Sequence, residues 1–231
     1  MLFSPQMPLP LEPRRVGRLD DFVPGPNATV VAAVAETARC ADRSLFLSGP
    51  QGSGKSHLLN AACLEAREAG HTAFYLGLRG LTEEDSASLQ GLETMGLVCL
   101  DDLQYVAGNS AWEEALFHFI NRLRTAGGSL MIASSERLRK LPLQLPDLAS
   151  RLAWGLRLSL QALEDDDKRA VLNAHGQALG IELPKDVTDY LLSRGPRDMA
   201  TLVGLVTRLQ QAVFRDKRQL TVPLARQLLK G

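Results

Sequence analysis

The chain has 231 residues, 45% hydrophobic and 23% charged, enough to bury the core of one mid-sized domain plus a small appendage. Its 26 basic side chains equal its 26 acidic ones, which argues against a protein that grips nucleic acid over its whole surface. No stretch reaches the roughly 18 apolar residues that a bilayer span needs. Residues 1–17 are Pro-rich and too short to fold alone, so they are expected to form an extended tail. Residues 18–160 alternate short apolar runs with helical patterns, the signature of a parallel α/β sheet. The runs at 44–48, 72–76, 96–100, 129–134 and 155–160 read as strands. Helices are expected over 55–69 and over 111–124, where Leu116, Phe119, Ile120 and Leu123 share one face. From 161 to 231 the strand signals vanish and three or four helices are expected. The first is opened by Glu164, Asp165, Asp166 and Asp167, whose charges suit the positive end of a helix.

Cys40, Cys63 and Cys99 form no CxxC pair, and Cys63 and Cys99 read as small core residues. The four histidines show no ligand spacing, so no zinc site is expected. In the tail the charges follow the apolar residues, the reverse of a secretory leader. A reduced, cytoplasmic setting is the expectation.

The chemistry concentrates after the first strand. Gly49, Pro50, Gln51, Gly52, Ser53, Gly54, Lys55 and Ser56 fit GxxxxGK(S/T) between a predicted strand and a predicted helix. Alone, the pattern could be a Gly-rich turn capping a helix; the strand-loop-helix setting favours a phosphate cradle. The glycines let backbone N–H groups turn inward, and the helix N-terminus favours an anion. Lys55 is expected to reach the β- and γ-phosphates and Ser56 to ligate Mg²⁺. A second element agrees with it. Leu97 to Leu100 is apolar and ends in Asp101 and Asp102, so Asp101 should emerge at the tip of a buried strand as a second Mg²⁺ ligand. Asp102 would stand beside an attacking water, one methylene shorter than the more common Glu. Together the motifs predict binding of ATP or ADP with Mg²⁺.

With these motifs in place, the chain resembles the AAA+ ATPases, and within them the bacterial initiator DnaA and its shorter homologues, the Hda family. GKSHLLNA (54–61), LDDLQYV (100–106) and EEALFHFINRL (113–123) carry the likeness. It implies an α/β AAA+ fold, a three-layer parallel sheet followed by a small all-helical lid. LDDFVPGPN (19–27) resembles the segment that holds adenine, which implies Phe22, Val23 and Asn27 as nucleotide contacts, with His57 beside the cradle. Ser134 or Ser135 resembles the residue that senses the γ-phosphate. Arg151 in LPDLASRLAWGL resembles the arginine finger, and Arg197 in RGPRDMATL resembles the nucleotide-touching residue of the lid. Gln6, Met7, Leu9 and Leu11 resemble the peptide by which Hda and several polymerases bind the sliding clamp.

Two departures from DnaA, a tail in place of a folded N-terminal domain and no helix-turn-helix after the lid, match the Hda family. The resemblance therefore implies a regulator linking the sliding clamp, the β subunit of DNA polymerase III, to DnaA. Arg151 would stimulate hydrolysis of DnaA-bound ATP, with DNA met mainly through the clamp. A homodimer is compatible with the likeness, because relatives place this arginine at a subunit boundary. The rival is a stand-alone AAA+ ATPase that loads or remodels replication proteins, which would need fast turnover in its own site.

Overall fold

The computed structural model describes residues 18–196, 199–216 and 218–230. Five strands, β1 (Ser44–Ser48), β2 (Ala73–Gly77), β3 (Leu97–Asp101), β4 (Ser129–Ser134) and β5 (Leu156–Ser159), form one parallel sheet in the order β2-β3-β4-β1-β5. Each begins within one residue of the apolar run that predicted it.

Both faces of this sheet are covered, which is why the central strands read as unbroken apolar runs. Side chains alternate across it. Leu45, Leu47, Cys99, Met131 and Ala133 face one layer, while Phe46, Val98, Leu100, Leu130 and Ile132 face the other. Helix α1 (Ala28–Arg39) and helix α2 (Lys55–Glu68) cover the first face. α1 inserts Val30, Val34 and Ala38, spaced by four. Its Val-rich sequence carries no distinct helical signal of its own, because β-branched runs suit strands equally well. Helix α3 (Ser110–Thr125) and the short helix α4 (Pro146–Leu152) cover the second face. The Asn109 side chain starts α3 by accepting from the Trp112 N–H at 3.0 Å. Trp112, Leu116, Phe119, Ile120 and Leu123 then fall on its buried stripe.

Glu113 is buried on α3 yet fully engaged. Its carboxylate accepts from the backbone N–H groups of Gly108 (2.8 Å), Gln144 (2.9 Å) and Leu145 (2.7 Å). It thereby ties the two loops that flank α3 and α4 to the helix.

Among the described residues four helices follow β5, α5 (Asp165–Ala178), α6 (Lys185–Arg194), α7 (Met199–Asp216) and α8 (Val222–Lys230). They enclose an apolar core of their own around Leu172, Val187, Leu191, Leu202, Val206 and Leu209. Among the described residues no helix is long and apolar enough to cross a membrane.

Candidate functional site

β1 delivers the glycine-rich loop to the C-terminal edge of the sheet, where the Gly49 N–H donates to the Ser134 carbonyl at 3.2 Å. Gly52 (φ +78°) and Gly54 (φ +96°) both adopt left-handed backbone, and Gly54 caps α2. A Cβ at Gly54 would lie 2.5 Å from the Phe22 ring, so the glycine also makes room for that ring. Lys55 opens α2 almost fully buried, and its ammonium donates to the carbonyls of Gly49 (2.8 Å) and Pro50 (2.9 Å). Burial pushes its pKa below the usual lysine range, with Asp101 and Asp102 opposing. The Ser53 hydroxyl is buried inside the loop without a hydrogen-bond partner, a polar atom that a phosphate oxygen would satisfy.

A cavity of about 670 Å³ opens above the loop. Phe22 and Val23 wall one side, and the Phe22 ring lies 5.6 Å from the His57 ring. Burial lowers the His57 pKa, opposed by its contact to the Arg18 carbonyl at 3.4 Å. The tips of the strands form the far wall. Asp101 is buried at the end of β3, accepting from the Tyr75 hydroxyl and from the Asp102 N–H, each at 2.9 Å. Burial first, and the Asp101 charge second, raise the Tyr75 phenol above its usual range. Asp102 takes left-handed backbone (φ +63°), and its carboxylate meets the Gln104 amide at 2.7 Å and Arg79 at 3.4 Å. The Gln104 carbonyl oxygen in turn accepts from the Ser135 N–H at 2.9 Å. From the helical unit, Leu163, Val171, Met199 and Val203 close the cavity with apolar surface. Volume, apolar walls and convergent polar groups are those of a small-ligand site.

Arg151 lies elsewhere. Leu148 and Leu152 anchor α4 in the core, and Arg151 projects from its last turn. Its guanidinium sits 4.1 Å from the Trp154 ring centre, and Arg124 packs on the same indole at 3.8 Å. Both arginines line a smaller cavity of about 380 Å³ beside Ser44, Gly128 and Leu130, at the N-terminal ends of β1 and β4. The glycine loop follows the opposite end of β1. Five residues of strand separate the two ends by roughly 16 Å.

Two family descriptions match the chain, "Bacterial DnaA ATPase domain" over residues 14–159 and "Hda, lid domain" over residues 165–229. The chain belongs to the DnaA–Hda family of AAA+ proteins. Solved structures share its fold. Domain III of the Thermotoga maritima initiator DnaA is 23% identical with a TM-score of 0.79, covering 92% of this chain and 95% of that one. DnaA of Aquifex aeolicus bound to AMPPCP is 23% identical with a TM-score of 0.71, covering 86% of this chain and 66% of that one. The Thermotoga maritima RuvB branch-migration motor is 18% identical with a TM-score of 0.64, covering 87% and 67%. At such identities the likeness is one of fold.

Within this DnaA–Hda-type fold the residues singled out by sequence separate into groups. Phe22, Val23, Gln51 to His57, Asp101 and Asp102 share the cavity wall. Gly49 and Pro50 support the loop from outside that wall, through their carbonyls. Asn27 is buried away from it and exchanges two hydrogen bonds with the backbone of Gln161, at 2.8 and 3.2 Å. It joins the segment before α1 to the start of the helical unit. Of the two serines, Ser135 lines the cavity, whereas Ser134 is buried and accepts from the Glu136 N–H. Arg197 and the tail residues Gln6, Met7, Leu9 and Leu11 lie outside the described residues. Sequence reasoning passed over Tyr75, Arg79 and Gln104. Gln104 falls inside the LDDLQYV stretch and could have been found there; the other two carry no local signal.

Asp101 and Ser56 offer a carboxylate and a hydroxyl on one wall of the cavity. Such hard oxygen donors suit Mg²⁺, which takes one or two protein ligands and completes its shell with phosphates and water. The residues present therefore fit both a nucleotide and its metal.

Proposed function

We propose that this protein is a nucleotide-binding regulator that links the DNA-loaded sliding clamp to DnaA and stimulates hydrolysis of DnaA-bound ATP, so that initiation is not repeated. On this reading the chain has three parts, a clamp-binding tail (1–17), the α/β nucleotide-binding domain (18–160) and a helical lid (161–231).

The cavity above Lys55 would hold ADP or ATP. The N–H groups of residues 51–56 and the Lys55 ammonium would cradle the phosphates, with the adenine between Phe22, Val23 and the lid. Ser56 and Asp101 would hold Mg²⁺, which neutralises phosphate charge when bound. Leu163, Val171 and Val203 contribute to the cavity from the lid, so an occupied site would order the two units against each other. Arg197 would add a lid contact to the phosphates.

The observation that carries the reading is the placement of Arg151 at the opposite end of the sheet from Lys55. It is too distant to serve its own cavity, so any phosphate it serves sits on another chain. Against the γ-phosphate of ATP on DnaA, its planar and permanently charged fork would neutralise the charge that develops as water attacks and the bond to the β-phosphate breaks. Inserted arginines of this kind accelerate phosphoryl transfer by about 10³ to 10⁵. Gln6, Met7, Leu9 and Leu11 would concentrate the protein at the clamp by docking in an apolar groove.

The test is hydrolysis of DnaA-bound ATP, measured with clamp loaded on DNA, with and without this protein. Stimulation that needs both clamp and protein is expected. If the isolated protein instead turns over ATP rapidly, and DnaA-bound ATP persists in its presence, the proposal fails in favour of a stand-alone ATPase.

A further inference from the structure

Tyr75 sits where three elements meet. β2 and β3 pair in register, with Tyr75 opposite Cys99 and Gly77 opposite Asp101. By the two-residue period of a strand, Tyr75 and Asp101 therefore project to the same face of the sheet, the one that α2 covers. Gly77 has no side chain between them. The Tyr75 hydroxyl lies 3.8 Å from where a Cβ at 77 would stand, an ordinary van der Waals distance.

The phenol uses this space to donate to Asp101 Oδ2 at 2.9 Å. Asp101 Oδ1 is already held by the Asp102 N–H at 2.9 Å. With a donor on each oxygen the carboxylate cannot rotate freely. The phenol thus fixes the carboxylate at the tip of β3 from a neighbouring strand.

We propose that Tyr75 is a positioning residue for the metal, holding the Asp101 carboxylate in the orientation that binding a nucleotide-bound Mg²⁺ requires. The inference rests on the nucleotide reading above. It follows from the general behaviour of metal ligands. A carboxylate that binds a cation is oriented by the donors behind it, and Mg²⁺ tolerates little deviation from octahedral geometry. Elsewhere in the cavity wall, Arg79 and Gln104 engage Asp102, not Asp101. Tyr75 is thus the one side-chain donor recorded on Asp101 among the described residues.

The experiment uses the full chain and Tyr75→Phe, which removes one oxygen and leaves the ring in place. ADP affinity is measured by calorimetry in EDTA. Mn²⁺ binding to the ADP complex is then measured by electron paramagnetic resonance, with Asp101→Asn as the reference for a lost ligand. The expected result is unchanged ADP affinity in EDTA, within about twofold, together with Mn²⁺ binding weakened about 10- to 100-fold. Mn²⁺ binding as tight as, or tighter than, that of the unsubstituted protein would overturn the proposal. So would a large loss of ADP affinity in EDTA, which would make Tyr75 a nucleotide contact. If the unsubstituted protein binds no ADP at all, the nucleotide reading falls and this inference falls with it.

Discussion

Gly54→Ala is expected to damage the glycine-rich loop through two separable costs. The backbone at Gly54 has φ +96°, where an L-residue costs about 1–2 kcal/mol. The new methyl would also stand 2.5 Å from Phe22 Cε2 and 3.2 Å from Cζ, too close for either atom. Relieving it moves the ring by roughly 1 Å, and overpacking of this kind costs about 1–3 kcal/mol. The sum is about 3 kcal/mol, reduced somewhat because Phe22 is only half-buried and can yield. Gly70 supplies the control. Its φ is +86°, but nothing lies within 4 Å of a Cβ there, so Gly70→Ala bears only the backbone cost. Urea unfolding followed by circular dichroism reads both, and with a slope of about 2–3 kcal/mol per molar the difference between the variants is near half to one molar in midpoint. Adding Phe22→Ala to Gly54→Ala should recover the steric part but not the backbone part. Phe22 also walls the cavity, so Gly54→Ala should weaken ADP binding by calorimetry while Gly70→Ala does not. Equal midpoints for the two glycine variants, or no recovery on removing Phe22, would refute this account of the loop.

Four further outcomes are expected. Arg151→Ala should keep its ADP affinity in calorimetry and lose stimulation of DnaA-bound ATP hydrolysis by about three orders of magnitude or more in a single-turnover assay. Replacing Gln6 and Leu9 together with Ala should leave the unfolding midpoint unchanged and abolish clamp association in a surface-binding assay. Glu113→Ala strands three backbone N–H groups that its carboxylate now satisfies, which should cost about 3–5 kcal/mol in chemical denaturation. Folding lowers the His57 pKa, so the unfolded chain binds more protons as pH falls through the ordinary imidazole range. Stability contributed by His57 should therefore be complete above that range and decline below it; a titration of unfolding midpoint against pH should lose this slope in His57→Gln.

Much of the architecture was legible because it is written in local chemistry. The five strands are short apolar runs between turn residues, and a buried parallel strand needs little else. The glycine loop was legible because left-handed backbone at Gly52 and Gly54, followed by Lys55 at a helix start, is a short-range requirement. α1 was not, because Thr29 to Val34 mixes small and β-branched residues that suit strand and helix alike. Its helical form is decided by the sheet face against which Val30, Val34 and Ala38 pack.

Sequence by itself determined the glycine-rich loop ahead of Lys55, the acidic strand tip at Asp101 and the change from α/β to all-helical after β5, since each depends on residues within one or two turns of one another. Only the tertiary structure decided the strand order β2-β3-β4-β1-β5, and with it which distant residues meet. Because β2 lies beside β3, Tyr75 reaches Asp101 across 26 positions of sequence. Because β5 lies beside β1, the start of β5 delivers Trp154 and Arg151 to the end of the sheet away from Lys55. Asn27 likewise meets Gln161 across 134 positions, a pairing that no local pattern encodes. Such contacts follow from how long crossovers close and pack, which periodicity and turn chemistry leave open.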